Sequence, residues 1–126
     1  MRVLFPLFNE IRKIPELNGR FTKNPPVKVV GFPYAFAHTV GKIQEVKSDD
    51  EVLLYKQARI GVRLVDTEEK TEEDLRNLFE KIEKLFLEYQ SDDILHIHKD
   101  TEGQFFDADA ENSDTMLEKD FIVKFF

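Results

Sequence analysis

Two of the three histidines, His96 and His98, lie in a segment that alternates apolar and polar residues. Residues two apart on a β-strand project from the same face, so this pair could present two imidazoles to one metal ion. No third ligand stands at a suitable spacing, and the sequence does not place His38 relative to the pair. The favoured interpretation is that both are polar residues on the exposed side of a strand, and no metal site is predicted.

Carboxylates spaced as in a calcium-binding loop occur closer to the C-terminus. Asp107, Asp109 and Glu111 alternate, and Glu118 stands twelfth when Asp107 is counted as first, which matches the ligand positions of an EF-hand loop. An asparagine occupies the position where that loop needs a glycine, and the flanking segments do not read as a pair of helices. Residues 100–118, with seven acidic and no basic side chains, are therefore interpreted mainly as a solvated acidic loop, with a calcium site as the alternative.

Arg59 and Arg63 are predicted to share the polar face of one long strand. Their planar guanidinium groups could bind carboxylates of a neighbouring subunit, or they could pair with acids on adjacent strands of their own sheet. The sequence leaves both alternatives open. No nucleophile–base arrangement, paired-carboxylate motif or glycine-rich phosphate loop accompanies them, so the sequence predicts no enzyme and no cofactor.

The sequence predicts a soluble intracellular protein from its segments, and its composition excludes disulfides. The 126 residues include no cysteine and twelve phenylalanines, and a chain of this length can bury a core without disulfides or metal. The net charge of −7 argues against tight binding to nucleic acid, which needs a basic face. We see no secretory signal and no apolar run long enough to span a membrane. Residues 1–126 are therefore expected to form a single domain.

The segment 51–66 contains the strand around which the rest of the chain is predicted to fold. Apolar and polar residues alternate from Ala58 to Val65, which is the period of a half-buried strand. A polar turn before it predicts a long hairpin over residues 36–66. Fourteen extended residues span about 46 Å at roughly 3.3 Å each, whereas a domain of this size has a diameter of roughly 36 Å. Residues 44–57, where the alternation fails, are therefore predicted to project from the domain.

Two helices and three further strands, one of them Ile94–Lys99 with the two histidines, complete the predicted fold. Residues 71–89 have apolar side chains every three or four positions and begin with a Thr-x-x-Asp sequence that resembles a capping box. A shorter helix is predicted over Leu4–Ile14, an edge strand over Val27–Val30, and a C-terminal strand over Asp120–Phe126. Gly41 is expected to mark a bulge in the hairpin. The sequence thus predicts an α+β fold, with a mostly antiparallel sheet, a long projecting β-hairpin, and one long and one short helix packed on the sheet.

This arrangement resembles the tail-terminator proteins, also called tail-completion or neck proteins, of long-tailed bacteriophages. The residues that carry the resemblance are Phe32-Pro33-Tyr34, the alternating run Ala58–Val65 and the helix Thr71–Tyr89 that follows it. The resemblance covers Leu4 to about Tyr89 and returns at Asp120–Phe126. The acidic segment between these parts has no counterpart in the pattern.

The resemblance implies a structural virion protein without enzymatic activity that assembles into a homo-oligomeric ring, typically a hexamer. Such a ring ends the growth of the tail tube and joins the tail to the head. Its implied partners are the tail tube protein and a head-connector or neck protein, while DNA passes through the lumen without specific binding and no membrane is involved. The implied location is the tail or neck of the virion, with assembly in the host cytoplasm.

The residues predicted to contact other subunits lie on the projecting hairpin and on the polar face of its second strand. They are Gln44, Glu45, Lys47, Ser48, Asp49, Leu53, Tyr55, Arg59 and Arg63. A second hypothesis is a monomeric acidic binding module, either an inhibitor or a regulator, that binds a basic partner through residues 100–118.

Overall fold

The computed structural model describes residues 2–109 and 113–126, which form a six-stranded β-sheet and two α-helices. A short 3-10 turn at Arg2–Leu4 leads into the first helix. In chain order the elements are α1 (Phe5–Arg12), β1 (Phe21–Lys23), β2 (Tyr34–Lys47), β3 (Leu53–Thr67), α2 (Glu72–Glu88), β4 (Ile94–Lys99), β5 (Gln104–Phe106) and β6 (Asp114–Phe125).

The sheet is mostly antiparallel, as predicted. Its strand order is β1-β2-β3-β6-β4, and β5 also pairs with β6. β1 runs parallel to β2, and the other pairings in the described part of the chain are antiparallel. β4 pairs with residues 121–125 of β6 and β5 with residues 116–118, so these short strands share the edge of β6 that β3 leaves free. The predicted α+β class is confirmed.

The hydrophobic core joins both helices to one face of the sheet. Because strand side chains alternate between the two faces, every second residue of β3 points into this core. These residues are Ala58, Ile60, Val62 and Leu64, each at most 3% exposed. The residues that α2 buries are Leu75, Phe79, Ile82 and Phe86. The ring of Phe86 stacks on that of Phe121 in β6 with centroids 4.5 Å apart, so the helix is held over the centre of the sheet.

The predicted capping box forms at the start of α2. The Thr71 hydroxyl accepts a hydrogen bond from the Asp74 backbone N–H at 3.2 Å, and the Asp74 carboxylate accepts one from the Thr71 backbone N–H at 3.0 Å. These reciprocal bonds satisfy two N–H groups that a helix start otherwise leaves unpaired. The bond from the Thr71 backbone, followed by that from its hydroxyl, lowers the pKa of Asp74 below its ordinary value, because both favour the ionised carboxylate.

Two predicted segments have a different structure. Val27–Val30 is not a strand, and β1 occupies the position beside β2 instead. The acidic segment 100–118 is not one continuous loop, since it contains β5 and the first residues of β6. The sequence did not predict the early part of β6. Two of its core-facing residues, Thr115 and Lys119, are polar but buried, so the alternation of apolar and polar residues that is typical of a strand is missing there.

The hairpin of β2 and β3 contains the predicted bulge. The register between the two strands shifts after Val40, and Gly41 has a φ of +73°, which glycine adopts without strain. β3 pairs with β6 from Lys56 to Thr67. Lys56 and Gln57, predicted to project, therefore lie within the sheet, and so do their β2 partners Glu45 and Gln44. The part of the hairpin that passes beyond β6 is shorter than expected.

Candidate assembly surface

The hairpin tip, residues 41–55, runs from the bulge in β2 through the turn to Tyr55. Its outer part, residues 46–55, extends past the last pair between β3 and β6, which joins Lys56 to Phe125. In the described part of the chain, the strands of the tip pair with each other and with no other strand. The turn is closed by a 2.9 Å hydrogen bond from the Ser48 N–H to the Val52 carbonyl. The tip is thus a two-stranded arm without a core of its own, and such a ribbon is marginally stable alone.

The tip exposes large aliphatic side chains. The exposed fractions are 47% for Ile43, 59% for Val52, 44% for Leu53 and 50% for Leu54. Scattered single apolar residues are normal on protein surfaces, but several on one projecting arm are characteristic of a surface that binds another macromolecule. Their exposure does nothing for the folding of the isolated chain.

The tip carries seven of the nine residues predicted to contact other subunits. They are Gln44, Glu45, Lys47, Ser48, Asp49, Leu53 and Tyr55. Tyr55 is half-buried, and the Lys124 amine lies 5.6 Å from the centroid of its ring. The structure adds Ile43, Val52 and Leu54 to this surface. Val52 and Leu54 could have been predicted, because apolar and polar residues fail to alternate around them. Ile43 gave no such signal, because the bulge that precedes it obscures the strand pattern.

Arg59 and Arg63 lie away from the tip, on the sheet face opposite the helices. Arg59 Nη1 pairs with the carboxylates of Asp100 and, at 3.2 Å, of Asp120. Arg63 Nη2 lies 3.1 Å from Glu118 Oε2 on the adjacent strand. The hydrogen bond to Asp120 is the main cause that raises the pKa of Arg59 above its ordinary value. Of the two alternatives, the structure therefore shows pairing with acids of the same sheet.

The three histidines do not form a metal site. The rings of His96 and His98 stack with centroids 5.3 Å apart, as expected for neighbours on one face of β4. His38 lies on β2, and both β3 and β6 separate it from β4. No group of three or more His, Cys, Asp or Glu side chains in residues 2–109 and 113–126 is arranged to hold a metal ion.

The calcium alternative is not supported by the residues that can be described. Glu111 lies outside them. Glu118, the twelfth residue of the proposed loop, belongs to β6 and pairs with Arg63. An EF-hand needs its twelfth residue as a bidentate ligand at the end of the loop, whereas the Glu118 carboxylate forms an ion pair within the sheet.

A buried ionic cluster between α2 and the sheet was not anticipated from the sequence. Glu83 lies 3.2 Å from the amine of Lys99 and 3.5 Å from that of Lys119, and Lys119 is only 5% exposed. Hydrogen bonds to Glu83 and then to Glu102 raise the pKa of Lys99. The partners come from segments distant in the chain, so no spacing pattern could reveal them. The cluster ties α2 to β4 and β6.

None of the helices described is long and apolar enough to cross a membrane. The hairpin tip is a candidate assembly surface because it exposes four large aliphatic side chains.

Comparison with known proteins gives a structural relation only. No family model and no curated protein matches the sequence. A chain of the solved structure described as "Virion of native gene transfer agent (GTA) particle" is similar, with a TM-score of 0.68 and 6% sequence identity, and the alignment covers 97% of this chain and 90% of that one. At this identity the likeness shows that the two chains share a fold over nearly their whole lengths.

Proposed function

We propose that this protein is a structural subunit of a phage-like virion, and that it forms a ring at the end of the tail tube that terminates tail growth and joins the tail to the head. The observation that carries the proposal is the fold shared with a chain of a gene transfer agent virion over 97% of this chain. The resemblance of its hairpin and main helix to tail-terminator proteins supports the position at the tail end.

The hairpin tip supports a role in assembly. Residues 46–55 form an arm that projects beyond β6 and exposes Val52, Leu53 and Leu54, and Ile43 is exposed at the base of this arm. Burying such side chains against a partner contributes roughly 25 cal/mol for each Å² of apolar surface removed from water. A ring subunit uses an arm of this kind to reach across its neighbour or towards the tube.

The proposal includes the partners of such a ring. The ring would be a homo-oligomer, with six subunits as the working number, and it would contact the tail tube protein on one side and a head-connector or neck protein on the other. DNA would pass through the lumen without specific binding, which suits a chain of net charge −7. The protein would act without enzymatic activity, in the virion, after assembly in the host cytoplasm.

Sizing by multi-angle light scattering tests the proposal. We expect the purified chain to form a discrete oligomer as its concentration rises, or once tail tube protein is added. A chain that stays monomeric at every concentration, even with tail tube protein present, would contradict the proposed function.

The competing hypothesis, a monomeric acidic module, receives less support from the structure. Asp100 and Glu118, at the two ends of the acidic segment, are already paired with Arg59 and Arg63 of the same sheet. Replacing the exposed acids Glu102 and Asp107 with Gln and Asn distinguishes the two hypotheses. If the protein is an acidic module, the unmodified chain should be monomeric and its binding of a basic partner should collapse in the variant; if it is a virion subunit, the variant should still form a ring, although at a higher protein concentration.

A further inference from the structure

The connection between β1 and β2 exposes a second set of apolar side chains. We call residues 24–33 the valine loop. Its exposed residues are Val27 (107%), Val29 (44%), Val30 (78%) and Phe32 (38%). The loop is well separated in the chain from the hairpin tip, and its valines contribute nothing to the core of the isolated chain.

The valine loop is held in place by hydrogen bonds. Arg20 donates to the carbonyl oxygens of Phe32 and Pro33, each at 2.8 Å. At the other end of the loop, the Asn24 N–H donates to the Ala37 carbonyl at 2.7 Å. A groove of about 240 Å³ opens beneath the loop, between it and the β1 edge. Because both ends of the loop are held, a partner that binds it orders less free backbone than it would in a loop without these bonds.

The charge around the loop is opposite to that of the whole chain. Residues 17–44 contain four basic side chains and no acidic one, although the protein carries a net charge of −7. Among the described residues, Lys28 at the centre of the loop has no ion-pair partner. An apolar surface with unpaired positive charge is complementary to a surface on which carboxylates lie beside exposed apolar side chains.

Such a surface lies at the opposite edge of the same sheet. Residues 100–109, which we call the acidic edge, surround β5 and contain four acidic and no basic residues. The side chain of Glu102 is 90% exposed, Asp107 is exposed, and Phe105 and Phe106 are half-buried. β1 ends the sheet on one side, whereas β5 lies along the far edge of β6, so the two surfaces do not overlap.

We propose that the valine loop of one subunit docks against the acidic edge of a second copy of this chain. The inference rests on the proposed function and names a second contact within the ring, in addition to that of the hairpin tip. Because the two surfaces differ and lie on opposite edges, the contact is heterologous: each subunit uses its loop on one neighbour and its acidic edge on the other. Heterologous contacts close into rings when the rotation between neighbours permits.

A charge-exchange experiment tests the docking contact. Lys28→Glu places a like charge against the acidic edge, and Asp107→Lys places one against the loop. Each variant alone should need about tenfold more protein to assemble, because like charges facing each other across an interface oppose association. Lys84→Glu, on the exposed side of α2, makes the same charge change elsewhere and should assemble as the unmodified chain does.

An equal mixture of the two defective variants is the decisive sample. In a heterologous ring of alternating subunits, the loop that carries Lys28→Glu meets the edge that carries Asp107→Lys, and the unmodified loop meets the unmodified edge. Each contact then again joins opposite charges, so we expect the mixture to assemble at close to the concentration that the unmodified chain requires.

Val30→Ser, which removes exposed apolar area without changing charge, should also weaken assembly. Urea midpoints equal to that of the unmodified chain would show that all variants fold.

Three outcomes would overturn the proposed contact. Assembly of both single variants at the unmodified concentration would exclude this interface while leaving the ring itself intact. Defective single variants that fail to recover on mixing would show that the two surfaces do not meet. Loss of binding to double-stranded DNA by Lys28→Glu, with self-assembly unchanged, would assign the loop to nucleic acid. Failure of the unmodified chain to assemble at all would instead overturn the proposed function together with the contact.

Discussion

The two halves of the β2–β3 hairpin use similar residues for different purposes. In the half that pairs with β6, the aliphatic residues that point towards the helices are at most 3% exposed. In the hairpin tip, Ile43, Val52, Leu53 and Leu54 are 44–59% exposed. The first set is explained by the fold of a single chain, whereas the second is not, and we propose that another molecule covers it. Stability and assembly should therefore respond to different halves of one hairpin.

The largest loss of stability is expected in the half covered by the helices. Leu64 is fully buried, and Leu64→Ala removes packed methyl groups and leaves a cavity, which costs about 2–5 kcal/mol. Urea denaturation of the monomeric protein would measure the loss. A change below about 1 kcal/mol would mean that the core around β3 is looser than described.

A smaller loss is expected at the start of α2. Thr71→Ala removes the hydroxyl that accepts the Asp74 N–H and should lower the free energy of unfolding by about 1 kcal/mol. Thr71→Ser keeps the hydroxyl and serves as the matched control. If Ser and Ala at this position have the same urea midpoint, the capping box does not stabilise the helix.

The pH dependence of stability gives a finer test of the same cap. The pKa of Asp74 is lowered in the folded state, so its contribution is complete above the ordinary carboxyl pKa and is lost as pH falls through the lower folded-state value. We expect Asp74→Asn to reduce the loss of stability on acidification below about pH 4. Acid titrations of the two proteins followed by circular dichroism would check this. Identical unfolding curves below about pH 4 would contradict it.

The smallest effect on stability is expected at the tip. Leu54 is half exposed, and Leu54→Ala should change the free energy of unfolding by less than about 0.5 kcal/mol. The comparison with Leu64→Ala is direct, because the same substitution is made in the same strand. A cost at Leu54 similar to that at Leu64 would show that the tip packs against its own chain.

Prediction from the sequence succeeded where a single element carries the whole pattern. The apolar stripe and Thr-x-x-Asp start of α2, the alternation of β3 and the bulge at Gly41 are local, and the structure contains all of them. The fold class followed from their order. The role of the predicted contact residues stays a prediction, although the structure places most of them on the projecting tip.

Features formed between distant segments could not be predicted in the same way. Arg59 and Asp120 are 61 positions apart, and Lys119 and Glu83 are 36 apart, so only the folded sheet shows that they pair. β1 and β5 have three residues each, too short for any periodicity to appear. The stretch Val27–Val30 looks like a strand because valines favour strands, yet it forms an exposed loop with no strand partner in the described residues.

The central claim is that the tip serves assembly and not folding, and shortening the hairpin tests it most directly. Replacing residues 46–55 with Asn-Gly joins the paired residues Glu45 and Lys56 through a two-residue turn. Leu87→Ser, at a 45% exposed position on α2, is the control for loss of an exposed leucine. Light scattering with tail tube protein present should show the control assembled and the shortened chain monomeric, with equal urea midpoints. A shortened chain that assembles as the full-length protein does would contradict the claim.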